Sequence, residues 1–129
     1  LISSIFFGFI DLNFLNSAIL KFLVKFRYAN KFNLLYQTSY HPETEITVTA
    51  GATQAIYTII STFIRPNDEV IIFKPAYDCY QPAIELNGGK TVSIQLNSPN
   101  YSVNWNDVKQ KINSNTKMVI INTPQNPSG

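Results

Sequence analysis

The sequence of 129 residues predicts an α/β fold, a mainly parallel sheet with covering helices. Short β-branched or apolar runs alternate with longer stretches of helical periodicity, and turn residues separate them. Each interval between strands is long enough for the crossover that parallel neighbours require. At this length one domain can bury a core, since a chain of ~150 residues hides roughly 70% of its unfolded surface.

The elements follow in order. "NSAILKFLVKF" sets Ile19, Phe22, Leu23 and Phe26 on one helical face, with Asn16 or Ser17 as a cap. Residues 27–45 are mixed, and "SYHPETE" is a connecting loop. "ITVT" (46–49) is strand-like and feeds "TQAIYTIISTFI" (53–64), where Ala55, Ile56, Ile59, Ile60, Phe63 and Ile64 recur at helical spacing. "RPND" turns the chain into the strand "EVIIF" (69–73). "YDCYQPAIEL" (77–86) is a helix that Pro82 starts or kinks and that Gly88 and Gly89 stop. "KTVSIQL" (90–96) is a strand, "NWNDVKQKI" (104–112) a capped helix and "KMVIIN" (117–122) a further strand.

Composition narrows the function. Charged residues are only 14% and the formal charge is +2, so neither a basic stripe for nucleic acid nor an acidic tail is present. Cys79 is the single cysteine, which excludes an internal disulfide and a thiolate zinc cluster and suits a reducing compartment. His41, the single histidine, has no second ligand or triad partner and reads as a loop residue. The apolar residues 1–26 are interrupted by Asp11, Asn13, Asn16 and Lys21, and lack the basic start and cleavage site of a signal peptide. A buried helix, or a segment of non-native sequence, is the expectation there.

Ligands of a parallel sheet bind beyond the carboxyl ends of its strands, which points to three loops. In "TVTAGATQA", Gly51 permits close backbone approach, and the first-turn amides of a following helix form an anion site; a small-residue turn with Thr53 as N-cap is the alternative. In "KPAYDCY", Tyr77 stands near the strand end where a ring can stack on a planar ligand, while Tyr80 and Cys79 face the core. A reactive thiolate at Cys79 is disfavoured, because Lys74 is the sole cation near it in sequence. "NTPQNPSG" carries the side-chain amides of Asn122 and Asn126 on a backbone stiffened by Pro124 and Pro127.

Together, "YHPETEITVTAGATQAI", "RPNDEVIIFKPAYDCYQPAIELNGG" and "NTPQNPSG" resemble the fold-type-I pyridoxal-phosphate aminotransferases, in particular the methionine and kynurenine aminotransferase branch. The resemblance spans residues 36–129 and implies part of the large, cofactor-binding domain of such an enzyme; residues 1–35 match poorly. It implies pyridoxal 5'-phosphate as cofactor, an amino acid and a 2-oxo acid as substrates, a homodimeric full-length enzyme and a cytoplasmic location. The amides of Ala52 and Thr53, after Gly51, would hold the phosphate, and Tyr77 would stack on the pyridine ring. Asn126, of the family's Asn-Pro-x-Gly motif, would bond the phenolic oxygen and approach the substrate carboxylate, with Asn122 supporting the ring. Pro127 and Gly129 would shape that turn, and Ser128 replaces the common threonine.

The departures are equally specific. The family attaches its cofactor through a lysine well after the Asn-Pro-x-Gly motif, and uses an aspartate, a tyrosine and an arginine that this sequence lacks. Lysines 21, 25, 31, 74, 90, 109, 111 and 117 match no such segment, so no catalytic residue and no metal ligand is assigned. The sequence therefore reads as a fragment cut within a site, and the isolated chain is expected to be inactive and to aggregate or fold in part. A carbon-sulfur lyase of the same fold, a non-catalytic effector module and a pseudogene product are the alternatives.

Overall fold

The computed structural model describes residues 18–128. Asn16, Ser17, the side chain of Ile19 and Gly129 lie outside the described residues. Two compact units divide between Gln54 and Ala55.

In the first unit, α1 (Ala18–Tyr36) runs ten residues past the Phe26 end expected from sequence, because no glycine or proline interrupts it. The chain leaves it through Gln37 in the left-handed region, φ 52°, whose amide donates to the Asn33 carbonyl at 3.0 Å. Phe32 packs on Tyr36 and, edge-on, on Tyr40, with centroids 5.5 and 5.6 Å away. The expectation of a buried helix fails for Phe22, Leu23 and Phe26, which are about half exposed, at 48%, 49% and 49%. Among the described residues of this unit no second complete helix or strand packs on that face. His41 is the exposed loop residue expected: its amide donates to Glu45 Oε2, and the Glu45 amide donates back to its carbonyl.

No ladder forms at residues 46–49, where sequence predicts the first strand. β-branched propensity favours extended backbone, but a strand exists only where a neighbour takes its amides and carbonyls. The sheet accordingly holds three strands rather than four.

α2 (Ala52–Phe63) buries Ile56 and Ile60, and Ile64 follows four residues on, buried to 1% exposure. In the second unit β1 (Glu69–Lys74) lies between β2 (Lys90–Gln95) and β3 (Thr116–Ile120), in the order β2-β1-β3. Both pairings are parallel: Ile71 faces Val92 on one side and Val119 on the other. α3 (Tyr80–Leu86) and α4 (Trp105–Lys111) make the crossovers and pack against β2. The pleat sends alternate side chains of β1 to opposite faces, and Ile71 and Phe73 share a core with Ile94, Leu96 and Val108 of α4. Asn104 caps α4 by accepting the Asn106 amide at 3.0 Å.

α3 starts three residues later than sequence suggests, and Pro82 settles at its third position, where its missing amide costs no helical bond. Its end is a Schellman turn: the Gly89 amide donates to Ile84 and the Gly88 amide to Glu85, with Gly88 at φ 78°. Gly89 has a different reason to be glycine. A Cβ there would stand 2.5 Å from Ile64 Cγ2 and 3.0 Å from Ile84 Cγ2, both on fully buried side chains.

Gly89→Ala is therefore expected to destabilise the second unit by ~1–3 kcal/mol through overpacking. Urea unfolding followed by circular dichroism reads this as a lower midpoint; an unchanged midpoint would mean that Ile64 and Ile84 yield freely.

Candidate functional site

The site begins where β1 ends. Pro75 has no amide to extend the ladder, and the Lys74 carbonyl makes its last bond, at 2.8 Å, to the Leu96 amide after β2. The chain then turns, the Tyr77 carbonyl accepting the Tyr80 amide at 3.2 Å. Tyr80 is buried and meets Tyr77 edge-on, at 5.9 Å and 79°, which fixes the plane of the half-buried Tyr77 ring.

A cavity of about 240 Å³ opens beside that ring, lined by Ile72, Lys74, Ala76, Tyr77, Asp78 and Gln81. Its volume exceeds the ~150 Å³ of an apolar cavity that holds a benzene, and Lys74, Asp78 and Gln81 make its wall partly polar. Lys74 Nζ donates to Gln81 Oε1 at 3.2 Å, and Gln81 Nε2 donates to Glu85 Oε1 at 2.8 Å, which ties the cavity wall to α3.

Beyond β3 the chain folds into a turn that presents Asn122 half-buried and Asn126 exposed. Between them stands Gln125. Its Nε2 donates to the Phe73 carbonyl at 3.3 Å and to the Pro75 carbonyl at 2.5 Å, so the loop after β3 is joined to the loop after β1. Tyr77 and Asn126 thus lie on segments fastened together at one rim of the sheet. Sequence inspection missed Gln125, since a glutamine in a turn carries no local signal of partners 52 and 50 residues upstream.

In the first unit, Gly51 adopts φ 117°, a conformation that favours glycine, with open space where a Cβ would be. The helix begins at Ala52, which makes Thr53 its second residue and not the N-cap. Gln54 reaches back to accept the Ala50 amide at 2.7 Å, and Thr49 Oγ1 donates to the Gly51 carbonyl at 2.9 Å. Ala52 is half-buried and Thr53 exposed. An α-helix leaves its first-turn amides without intrahelical acceptors and its dipole favours an anion there, which is the property the sequence assigns to this turn.

Residues 11–129 match the family described as aminotransferase class I and II. The chain belongs to that family. Methionine aminotransferase of Escherichia coli (strain K12) is 44% identical over 100 residues, which are 78% of this chain and 26% of that protein. Human kynurenine–oxoglutarate transaminase 3 is 38% identical over 108 residues, 76% of this chain and 24% of that protein. Among solved structures, YbdL of Escherichia coli, identified as having a methionine aminotransferase function, superposes with a TM-score of 0.80 at 41% identity, over 83% of this chain and 28% of its own. N-succinyldiaminopimelate aminotransferase of Mycobacterium tuberculosis gives 0.76 at 29%, over 81% and 28%. The chain thus spans about a quarter of the length of the curated relatives it matches. Its α/β architecture is that of fold-type-I aminotransferases.

Among the described residues no three His, Cys, Asp or Glu side chains assemble as a metal site, and no described helix is long and apolar enough to cross a membrane. Burial pushes the Cys79 thiol above its ordinary 9.0, the neighbouring Asp78 carboxylate adds to this, and a backbone hydrogen bond opposes both. Cys79 is therefore held as the thiol, but it is half-buried and not one of the core residues that sequence expects it to join, because the chain is still in the turn before α3 at that point. Burial likewise raises Tyr80 above 10.0, followed by the charges of Cys79 and Tyr77.

Both groups bind their protons more tightly when folded, so their contribution to stability is complete below the ordinary values and is lost as pH rises through the raised ones. The urea midpoint is expected to fall as pH rises from about 8 to above 10, and to fall less in Cys79→Ser. Equal slopes in the two proteins would show that the thiol is not held neutral by the fold.

Proposed function

We propose that this chain supplies cofactor-holding residues of a pyridoxal 5'-phosphate-dependent aminotransferase that moves an amino group between an amino acid and a 2-oxo acid. The observation that carries the proposal is the fastening of the Tyr77 and Asn126 loops beyond the carboxyl ends of parallel strands, by Gln125. Ligands of such sheets bind in that location.

The donor set fits the cofactor. Tyr77 offers an oriented aromatic ring beside a partly polar cavity. Asn122 and Asn126 offer amides that donate as well as accept, suited to a phenolic oxygen and a carboxylate. The buried Ser128 Oγ, in the same turn, has no hydrogen-bond partner among the described residues, a polar group for which a bound polar ligand would be a partner. The Gly51 turn and the opening of α2 form an anion site suited to a phosphate.

Each residue then has a task. Amides of Ala52 and Thr53, which the absence of a side chain at Gly51 leaves open to close approach, bind the phosphate. Tyr77 stacks on the ring and excludes water from one side of it, and Asn122 supports the ring nearby. Asn126 donates its side-chain amide to the phenolic oxygen and orients the substrate carboxylate. When bound, pyridoxal 5'-phosphate supplies the electron-accepting ring that makes loss of the amino acid's α proton feasible. None of the eight lysines in these 129 residues matches the family's cofactor-attaching segment, so a polypeptide limited to them binds without turning over. The relatives named for methionine and for kynurenine transamination make such amino donors the first substrates to test with the whole protein.

Titrating the purified protein with pyridoxal 5'-phosphate tests this. Tyr77→Ala and Asn126→Ala are each expected to weaken binding by about 3- to 10-fold, the scale of one aromatic contact or hydrogen bond. A polypeptide of residues 1–129 should show no transamination above that of free cofactor. Affinities unaltered by both substitutions would refute the assignment of these residues.

A further inference from the structure

Consecutive carbonyls of a strand point to opposite edges of it, and this alternation explains what Gln125 does. The Lys74 carbonyl points toward β2, where the Leu96 amide takes it. Those of Phe73 and Pro75 therefore point toward β3. The β3 ladder stops at the pair Ile72–Ile120, however, so the backbone of β3 no longer reaches either of them. Gln125 Nε2 has two hydrogens, and it spends them on these two carbonyls. A side chain thereby continues the ladder for one further step after the backbone has turned away.

The chemistry is selective. A glutamate has the same shape but offers only acceptors to two carbonyl oxygens, and a leucine of similar size offers no donor. The hook also sits where small displacements count: Asn126 is the next residue, and Tyr77 is two residues beyond Pro75. Groups that grip one ligand from two sides must be placed to about 0.5 Å, so the separation of these two depends on the hook. We infer that Gln125 is a positioning residue that sets the Asn126 amide against the Tyr77 ring, an inference that rests on the cofactor-binding reading of both.

Three proteins, the unaltered one, Gln125→Glu and Gln125→Leu, would be compared by two measurements: affinity for pyridoxal 5'-phosphate, and amide hydrogen exchange without ligand. Gln125→Glu is expected to lose about tenfold in affinity near pH 8, and Gln125→Leu about threefold. Near pH 4, below the ordinary glutamate value of ~4.3, the introduced carboxyl is mostly protonated and regains one O–H donor, so the deficit of Gln125→Glu relative to the unaltered protein narrows, whereas that of Gln125→Leu stays constant. A general loss of packing would not produce this pH dependence. Without ligand, exchange at the amides of residues 76–78 and of Asn122, Thr123, residue 125 and Asn126 should quicken together while Ile71 and Ile72 keep their protection, which also certifies that each variant is folded.

Unchanged affinity in both variants, or quickened exchange in one loop alone, would overturn the inference. If the unaltered protein fails to bind pyridoxal 5'-phosphate, the functional reading falls and the exchange data decide for Gln125. Paired quickening then upholds its positioning role, and its absence refutes it.

Discussion

The structure depends on β1 being paired in parallel along both of its edges. Its residues Val70, Ile71, Ile72 and Phe73 are at most 5% exposed, so the strand is covered on both faces as well. A strand in that position has no solvent to satisfy its amides, which must all go to β2, β3 or substitutes for them. Parallel pairing then dictates the rest: each connection must cross back over the sheet, which calls for α3 and α4, and the two strands β1 and β3 finish at the same rim. The candidate site is a consequence of this geometry. Tyr77 and Asn126 are far apart in the chain, and the segments that carry them are joined at one rim because β1 and β3 share a direction and an edge.

Each side chain at that rim is held by something behind it. Tyr80 is buried against the sheet and presents an edge to Tyr77, so the ring that faces the cavity is backed by the core. Cys79, next to Tyr80 in the chain, stays a thiol: burial and Asp78 both oppose its ionisation. Gln81 anchors Lys74 and is anchored in turn by Glu85, so the charged wall of the cavity is also tied to α3. The polar turn at residues 122–128 is tied back by Gln125, one of whose bonds ends on Phe73 of the buried strand β1 and the other on Pro75 just after it. Membership of the class I and II aminotransferases is the ground on which a cofactor-holding role is proposed for this arrangement.

The extent to which this was legible in the sequence follows the range of each interaction. β1, β2, α2 and α4 were readable because their signals are local: the β-branched run "VII", the four-residue recurrence of Ile56, Ile60 and Ile64, and the cap at Asn104. The turns after β1 and β3 were legible too, since strand ends mark them, whereas the Gly51 turn follows no strand. The sheet's fourth strand was not: Ile46, Thr47, Val48 and Thr49 have the propensity, but pairing is a property of two segments and the sequence of one cannot supply it. The burial of Phe22, Leu23 and Phe26 was misjudged for the same reason, because an apolar stripe says what a helix can bury and not what is there to bury it. Gln125 was invisible, its partners being fixed only when β1 and β3 pair.

The most direct measurement is a nuclear Overhauser spectrum of the ¹⁵N-labelled protein, read at the side-chain amide of Gln125. Contacts from its two protons to the α-proton of Pro75 and the amide of Ala76 are predicted, with resolved shifts for the two protons and slowed exchange of both with water. A Gln125 amide showing only contacts within its own residue, at the shifts of an unstructured glutamine, would contradict the account, because the loops carrying Tyr77 and Asn126 would then not be joined.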